Sequence, residues 1–247
     1  MEKAKKERID IILFEKGLVE SREKGSRLIL AGQVFANDFK VTKPSIRVDV
    51  DSHIRIKELF PYVGKGAQKL ESAFIEFKMS FENKVIVDVG SSTGGFTDYA
   101  LKNGAKKVYA VDVGYGQLAQ KLREDDRVVS MERTDIRNID SFPEKIDVFV
   151  VDVSFISLEK ILPKIKEFID KQKQKAEIVC LVKPQFEVGK KIADRFKGVI
   201  SDIEIQNEIV EKIINFSLEL NFLFKGKTES QIKGHKGNQE YLIYLES

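Results

Sequence analysis

Residues 85–96 read Val-Ile-Val-Asp-Val-Gly-Ser-Ser-Thr-Gly-Gly-Phe, an apolar run that passes directly into a glycine-containing loop. A short apolar run of this kind predicts a buried strand. Glycines after the strand let the backbone turn sharply and pass close to a ligand. The stretch therefore predicts a strand, a ligand-binding loop and a helix, with these candidate cofactor-binding residues: Asp88, Gly90, Ser91, Ser92, Gly94, Gly95 and Phe96.

The sequence that follows this loop repeats the alternation of strand and helix. Apolar runs recur in VYAVDVG, VVSMER, VFVVDVS and IVCLVKP, with helical segments between most of them. This pattern predicts a parallel sheet covered on both faces. The last two predicted strands, 222–229 and 241–246, leave no room for a helix between them and should pair antiparallel. The resulting α/β fold, with a seven-stranded and mostly parallel sheet, resembles the class I (Rossmann-like) methyltransferases.

Carboxylates at successive strand ends narrow the choice of cofactor. A glycine loop alone is weak evidence, and Ser92 replaces the middle glycine of the dinucleotide fingerprint, which disfavours NAD. Asp112 ends the second strand of this series, where it could accept hydrogen bonds from ribose hydroxyls, and Asp135 follows the third, where it could meet an adenine amino group. Each Asp alone could simply cap a turn. Together with Asp88 they predict S-adenosylmethionine as the cofactor.

Four further ionisable residues are candidates for the chemistry. Asp152 and Lys183 stand at or near the ends of the fourth and fifth strands. Methyl transfer to a hydroxyl needs a base, or a fixed cation that stabilises the developing alkoxide, and such groups suit either role, although a buried structural ion pair is the alternative. With Lys69 and Glu240 they resemble the K-D-K-E tetrad of the FtsJ-type ribose 2′-O-methyltransferases. That resemblance implies that Lys183 activates the 2′-oxygen beside Asp152, while Lys69 and Glu240 orient substrate and lysine.

The first sixty residues predict a small, separate module. Residues 9–18 and a segment capped by Ser21 predict two helices, and residues 33–37 and 48–56 predict strands. Residues 1–60 contain 13 Lys or Arg against 10 Asp or Glu, so the net charge of +3 arises there. This α+β segment resembles the S4 RNA-binding domain, which implies RNA contacts, mostly to phosphate, from Arg8, Arg22, Lys24, Arg27, Lys40 and Lys43.

Taken from about Arg8 to Leu245, the chain resembles the TlyA (hemolysin A) family. The resemblance implies an S4 domain at 1–58, a linker at 59–67 and an FtsJ-like domain at 68–247, and 2′-O-methylation of ribosomal RNA, with cytidine as the target. Lys65, where the family often has Arg, would add an RNA contact. Nothing in the sequence chooses the nucleotide or the ribosomal subunit. A non-catalytic RNA-binding assembly factor, a pore-forming cytolysin and an NAD-linked oxidoreductase stay open as alternatives.

The composition excludes several other classes of protein. Hydrophobic residues make up 42% and charged residues 33% of the 247-residue chain, and no apolar run approaches the roughly 20 residues that a membrane span needs. A single cysteine, Cys180, excludes an internal disulfide and a cysteine-based zinc site. The charged residues at the start are not followed by an apolar segment, so the sequence does not predict a secretory signal peptide. We therefore expect a cytoplasmic protein with ribosomal RNA or a ribosomal subunit as its partner, and with no metal, membrane association or stable protein partner.

Overall fold

A computed structural model describes residues 5–57, 61–188, 196 and 198–247. The chain divides into two compact units, one ending at Pro61 and the other beginning at Tyr62. Of the predicted domain boundaries, residue 58 and the first two residues of the linker, 59 and 60, lie outside the described residues. At the other end of the predicted linker, Gly66 already begins a helix of the second unit.

The first unit packs two helices against short strands, as predicted. Its helices are α1 (Ile9–Glu15) and α2 (Arg22–Leu30), and its described strands are β1 (Lys6–Arg8), β2 (Val34–Ala36), β3 (Phe39–Lys40), β4 (Arg47–Asp49) and β5 (Ile54–Ile56). The Ser21 hydroxyl accepts a hydrogen bond from the Lys24 backbone N–H, so this residue caps α2 as its position indicated. Apolar side chains of both helices and of β2 form the core, among them Ile9, Leu13, Ile29 and Val34.

The prediction of one strand over 48–56 was wrong. The structure has two strands there: β4 pairs with β1, and β5 pairs with β2. The chain turns between them because the Asp49 side chain accepts a hydrogen bond from the Asp51 N–H at 3.1 Å and the Asp49 carbonyl accepts one from Ser52 N–H at 3.0 Å. An aspartate that binds the backbone two residues ahead favours a turn over continued extension. Strand β1 was not predicted.

The described part of the second unit contains the predicted seven-stranded sheet. Its strands are β6 (Val85–Val89), β7 (Lys107–Val111), β8 (Val128–Met131), β9 (Val148–Val151), β10 (Glu177–Val182), β11 (Leu223–Glu229) and β12 (Tyr241–Glu246), in the order β11-β12-β10-β9-β6-β7-β8. The helices around it are α3 (Gly66–Glu76), α4 (Gly95–Lys102), α5 (Gln120–Arg123), α6 (Leu162–Gln172), α7 (Pro184–Glu187) and α8 (Ile203–Glu219). The α/β fold with a seven-stranded, mostly parallel sheet is confirmed.

Two apolar cores, one on each face of this sheet, explain why its strands are almost wholly apolar. On one face Phe149 and Cys180 pack with α6 and α8, and on the other Ile86 and Val150 pack with α3 and α4. Strands β6 to β10 run parallel, whereas β12 runs antiparallel to β10 and β11. Because of this reversal, the start of β12 lies at the same sheet edge as the ends of β9 and β10. Across the described ranges, every helix is too short or too polar to span a bilayer.

Candidate active site

Four charged side chains meet at this sheet edge. Asp152 directly follows β9, Lys183 directly follows β10, and Glu240 directly precedes β12. Tyr241 is paired with Val182 across the antiparallel ladder, so Glu240 and Lys183 leave the sheet side by side. Lys69 comes from α3, which packs against α4 and β12. The topology of the sheet therefore gathers residues that are up to 171 positions apart in the chain, from Lys69 to Glu240.

The four side chains form a continuous series of ion pairs. Lys183 Nζ lies 2.6 Å from Asp152 Oδ1. Lys69 Nζ lies 3.8 Å from Asp152 Oδ2 and 2.7 Å from Glu240 Oε2. The lysines hold Asp152 Oδ1 and Glu240 Oε2 as ion pairs, and these two oxygens accept no hydrogen bond from the described residues. The structure thus brings together all four residues predicted from the sequence as catalytic candidates.

Burial makes this charge cluster sensitive to the loss of any member. The side chain of Glu240 is 2% exposed and that of Lys183 is 9% exposed, whereas Asp152 retains 18% exposure. Two cations and two anions balance one another, and removing one partner would leave an uncompensated charge in a poorly solvated place. Asp152 and Lys69 are the members that solvent, and hence a substrate, reaches most easily.

The glycine loop lies against the same cluster. Gly90 has φ +86°, and a Cβ atom there would lie 2.4 Å from the carbonyl oxygen of Asp152. Gly94 has φ +92°, and a Cβ atom there would lie 2.2 Å from Leu122 Cδ1. Only glycine combines the left-handed backbone with so close an approach. Gly90 therefore sets the loop directly beside the end of β9, and Gly94 sets it against Leu122 of α5.

Asp88 carries a buried oxygen that lacks a partner. Its Oδ2 accepts hydrogen bonds from the Thr97 hydroxyl at 2.6 Å and the Thr97 N–H at 3.0 Å, whereas its Oδ1 has no hydrogen-bond donor among the described residues. Complete burial, supported by the nearby negative charge of Asp152, raises the pKa of Asp88 to about 7 against the lowering effect of Thr97. Buried carboxylate oxygens are normally satisfied, so Oδ1 marks a place for a ligand donor.

Asp112 and Asp135 both bind local backbone, as the capping alternative expected. Asp112 accepts hydrogen bonds from the N–H groups of Ser92 and Gly114, each at 2.7 Å. Asp135 accepts one from the Arg137 N–H and pairs with the Arg137 guanidinium at 2.6 Å, and this hydrogen bonding holds the pKa of Asp135 below its usual range. Both aspartates nevertheless line one cavity, and a carboxylate has room for about four hydrogen bonds.

Two adjoining cavities lie along the sheet edge. The first, of about 380 Å³, is lined by Val111, Ile136 and Ile156 together with Asp112 and Asp135. The second, of about 430 Å³, is lined by Asp88, Ser91, Thr93, Gly95 and Phe96 together with Lys65, Lys69 and Lys233. Both are also lined by Gly90, Ser92 and Asp152. An apolar chamber with an acidic rim thus opens beside a basic one, with Asp152 at their junction.

The predicted RNA contacts fall into two groups. In the first unit Lys24, Arg27, Lys40 and Lys43 are exposed and have no ion-pair partner among the described residues. Arg8 and Arg22 instead share Asp10, at 3.0 and 2.9 Å. Burial alone would raise the pKa of Asp10, but the hydrogen bonds from both arginines outweigh it and lower the pKa. Lys65 belongs to the second unit, where it lines the basic cavity.

Two further polar residues contact the site and were not predicted. Thr97 donates to Asp88, as described above. Ser154 accepts a hydrogen bond from Lys183 Nζ at 2.8 Å. The position of Ser154, two residues beyond Asp152 at a strand end, was the one indication in the sequence, whereas Thr97 lies within α4 and gave none.

Comparison with known proteins assigns this second unit. The FtsJ-like methyltransferase family matches residues 62–247, three quarters of the chain. The chain belongs to the FtsJ-like methyltransferase family. The S4 domain family matches residues 7–54, so the predicted combination of an S4 domain with an FtsJ-like domain is confirmed.

Full-length relatives share both domains of this FtsJ-like protein. A candidate rRNA methyltransferase of Bacillus subtilis, YqxC, is 44% identical over 98% of this chain and 86% of its own. The 16S/23S rRNA (cytidine-2′-O)-methyltransferase TlyA of Mycobacterium tuberculosis is 37% identical over 98% of this chain and 90% of its own. The solved structure of a hemolysin candidate from Streptococcus thermophilus has a TM-score of 0.72 at 39% identity, covering 99% of this chain and 90% of that one. The predicted resemblance to the TlyA (hemolysin A) family is confirmed.

Proposed function

We propose that this protein transfers the methyl group of S-adenosylmethionine to the 2′-hydroxyl of a cytidine ribose in ribosomal RNA. The observation that carries the proposal is the contact of Lys69, Asp152, Lys183 and Glu240 with one another beside the glycine loop. Membership of the FtsJ-like family supports methyl transfer as the reaction. The Mycobacterium tuberculosis relative is a 16S/23S rRNA (cytidine-2′-O)-methyltransferase by name, which supports a cytidine of ribosomal RNA as the target.

The donor set around the glycine loop fits S-adenosylmethionine. The unpartnered Asp88 Oδ1 suits a positively charged amino group, and Asp112 and Asp135 suit ribose hydroxyls and an adenine amino group. The remaining predicted cofactor-binding residues would contact the cofactor: Gly90, Ser91, Ser92, Gly94, Gly95 and Phe96. When bound, the cofactor supplies an electrophilic methyl carbon attached to a positively charged sulfur.

Lys183 is the residue that we assign to activation of the 2′-oxygen. Its nitrogen would take the hydroxyl proton as the bound cofactor supplies the methyl group to the 2′-oxygen, with the demethylated cofactor as the leaving group. The protonated lysine would then return its proton to solvent. Asp152 holds Lys183 at 2.6 Å, and the Lys69–Glu240 pair closes the other side of Asp152.

We assign the binding of folded RNA to the N-terminal unit. The proposed domain limits are 1–58 for the S4 domain, 59–67 for the linker and 68–247 for the catalytic domain. Lys24, Arg27, Lys40 and Lys43, which have no ion-pair partner within the described ranges, would meet phosphate groups. Arg8 and Arg22, which pair with Asp10, would do so as well. Lys65 lines the basic cavity, where it would meet phosphate near the target ribose.

Transfer of a tritiated methyl group to ribosomal RNA tests the proposal. The full-length protein should label RNA in isolated subunits or as free transcript, whereas Lys183→Ala should leave the RNA unlabelled. An unlabelled RNA that the wild-type protein still binds tightly would contradict methyl transfer and favour a role as an RNA-binding assembly factor. Leakage of lipid vesicles in place of RNA labelling would favour the cytolysin alternative.

A further inference from the structure

Lys183 is held by an ion-pair partner and a hydrogen-bond acceptor that come from one turn of the chain. Its Nζ lies 2.6 Å from Asp152 Oδ1 and donates a hydrogen bond to Ser154 Oγ at 2.8 Å. The Phe186 ring centroid also lies 5.8 Å from this nitrogen. Ser154 is exposed and makes no other hydrogen bond within the described ranges, so its hydroxyl has no evident structural task.

The geometry of an amine nitrogen determines how the contact with Ser154 restricts the rotation of Lys183 Nζ. The nitrogen is tetrahedral, and its own carbon chain occupies one of the four directions. The hydrogen bond to Ser154 occupies a second direction, whereas the Asp152 carboxylate lies at ion-pair distance without a hydrogen bond from the nitrogen. Removing Ser154 would leave the ammonium or amine group free to rotate about its carbon–nitrogen bond beside Asp152.

The turn that carries Asp152 and Ser154 is held by contacts with its neighbours. The Asp152 carbonyl is in close approach to Gly90, and Phe155 has φ +65°, an unfavourable conformation for a bulky side chain. Farther along, Glu187 accepts hydrogen bonds from the Ser157 hydroxyl at 2.5 Å and the Leu158 N–H at 2.9 Å. Glu187 lies in α7, which starts next to Lys183, so the turn and the lysine are tied together at both ends.

We propose that Ser154 is a positioning residue, which fixes the rotation of Lys183 Nζ so that one of its remaining directions meets the 2′-oxygen of the target ribose. This inference rests on the proposed function. Because the Ser154 hydrogen bond fixes this rotation, it serves equally for a lone pair that takes the proton and for an N–H that meets the developing alkoxide. Ser154 itself exchanges no proton and would act only through the lysine.

Steady-state kinetics on the full-length protein tests this role, with Ser154→Ala, Ser154→Thr and the control Ser141→Ala. Ser141 is exposed and makes no hydrogen bond within the described ranges. We expect Ser154→Ala to lower kcat about 10- to 100-fold, the effect of one lost hydrogen bond to a charged group, with the KM for RNA and the calorimetric Kd for S-adenosylmethionine within about twofold of wild type. Ser154→Thr keeps the hydroxyl at an exposed position and should recover most of kcat.

Three outcomes would overturn the inference: a Ser154→Ala kcat within twofold of wild type or above it, an equal loss in Ser154→Thr, or a loss that appears wholly in KM. An increase would mean that the serine hydroxyl donates to the lysine and occupies it. A wild-type protein that methylates no ribosomal RNA would instead refute the proposed function, so the two failures are distinguishable. The cofactor Kd doubles as a check that each variant is folded.

Discussion

Asp88→Asn should remove a pH dependence of cofactor binding that the wild-type protein possesses. The Asp88 carboxyl is fully buried, its pKa is raised to about 7, and its Oδ1 is unpartnered. If that oxygen meets the amino group of S-adenosylmethionine, only protein with ionised Asp88 binds well. About a tenth of the molecules are ionised at pH 6 and about half at pH 7, so the apparent Kd should fall about fivefold over this interval. The ligand amino group stays mostly protonated in the same interval.

Isothermal titration with S-adenosylmethionine at pH 6.0, 6.5 and 7.0 measures this effect. Asp88→Asn should bind more weakly than wild type at pH 7 and show a Kd that is nearly constant with pH. Asp112→Asn is the matched control, since it removes a carboxylate from the neighbouring cavity and should weaken binding equally at each pH. A wild-type Kd that does not change between pH 6 and 7, or an equal pH dependence in Asp88→Asn, would refute the assignment of Asp88.

Three other substitutions probe the rest of the account. Lys183→Ala should keep the cofactor Kd but lower methyl transfer at least about 100-fold, because the base is lost; substantial residual turnover would show that another group activates the oxygen. Gly90→Ala should lower the free energy of unfolding by about 2 kcal/mol or more in denaturant titration and weaken cofactor binding. Gly116 is the control, because it has φ +73° but nothing within 4 Å of its Cβ position, so Gly116→Ala should lose only the smaller cost of the left-handed backbone. Equal losses in the two variants would refute the close approach of Gly90 to Asp152. The double variant Lys24→Ala/Arg27→Ala should weaken RNA binding and make its dependence on salt shallower by roughly 1 to 2 in the log–log slope, and an unchanged slope would remove α2 from the RNA interface.

The fold of the second unit could be predicted because its signals are local and strong. Most residues of the strands β6, β7, β9 and β10 are buried and apolar, and the short interval between 229 and 241 requires an antiparallel return. The first unit has strands of two or three residues, too short for an alternating pattern to define. There the hydrogen bonds of Asp49 decide where one strand ends, and the partner of a short edge strand is set by tertiary packing.

The members of the candidate site could be predicted, but their contacts could not. Lys69 and Glu240 were chosen through the resemblance to a known tetrad, and Asp152 and Lys183 through their places at strand ends. That Lys69 sits nearer to Glu240 than to Asp152 depends on side-chain conformations that no local pattern encodes. The same holds for the ion pair of Arg137 with Asp135, for the two arginines that share Asp10, and for the hydrogen bond from Lys183 to Ser154.

The most direct test of the central claim is mass spectrometry of nucleosides from ribosomal RNA incubated with S-adenosylmethionine and either the wild-type protein or Lys183→Ala. The wild-type protein should raise the amount of 2′-O-methylcytidine, whereas Lys183→Ala should not. A methyl group on a base, an increase that persists in Lys183→Ala, or RNA that gains no methyl group at all would contradict this claim.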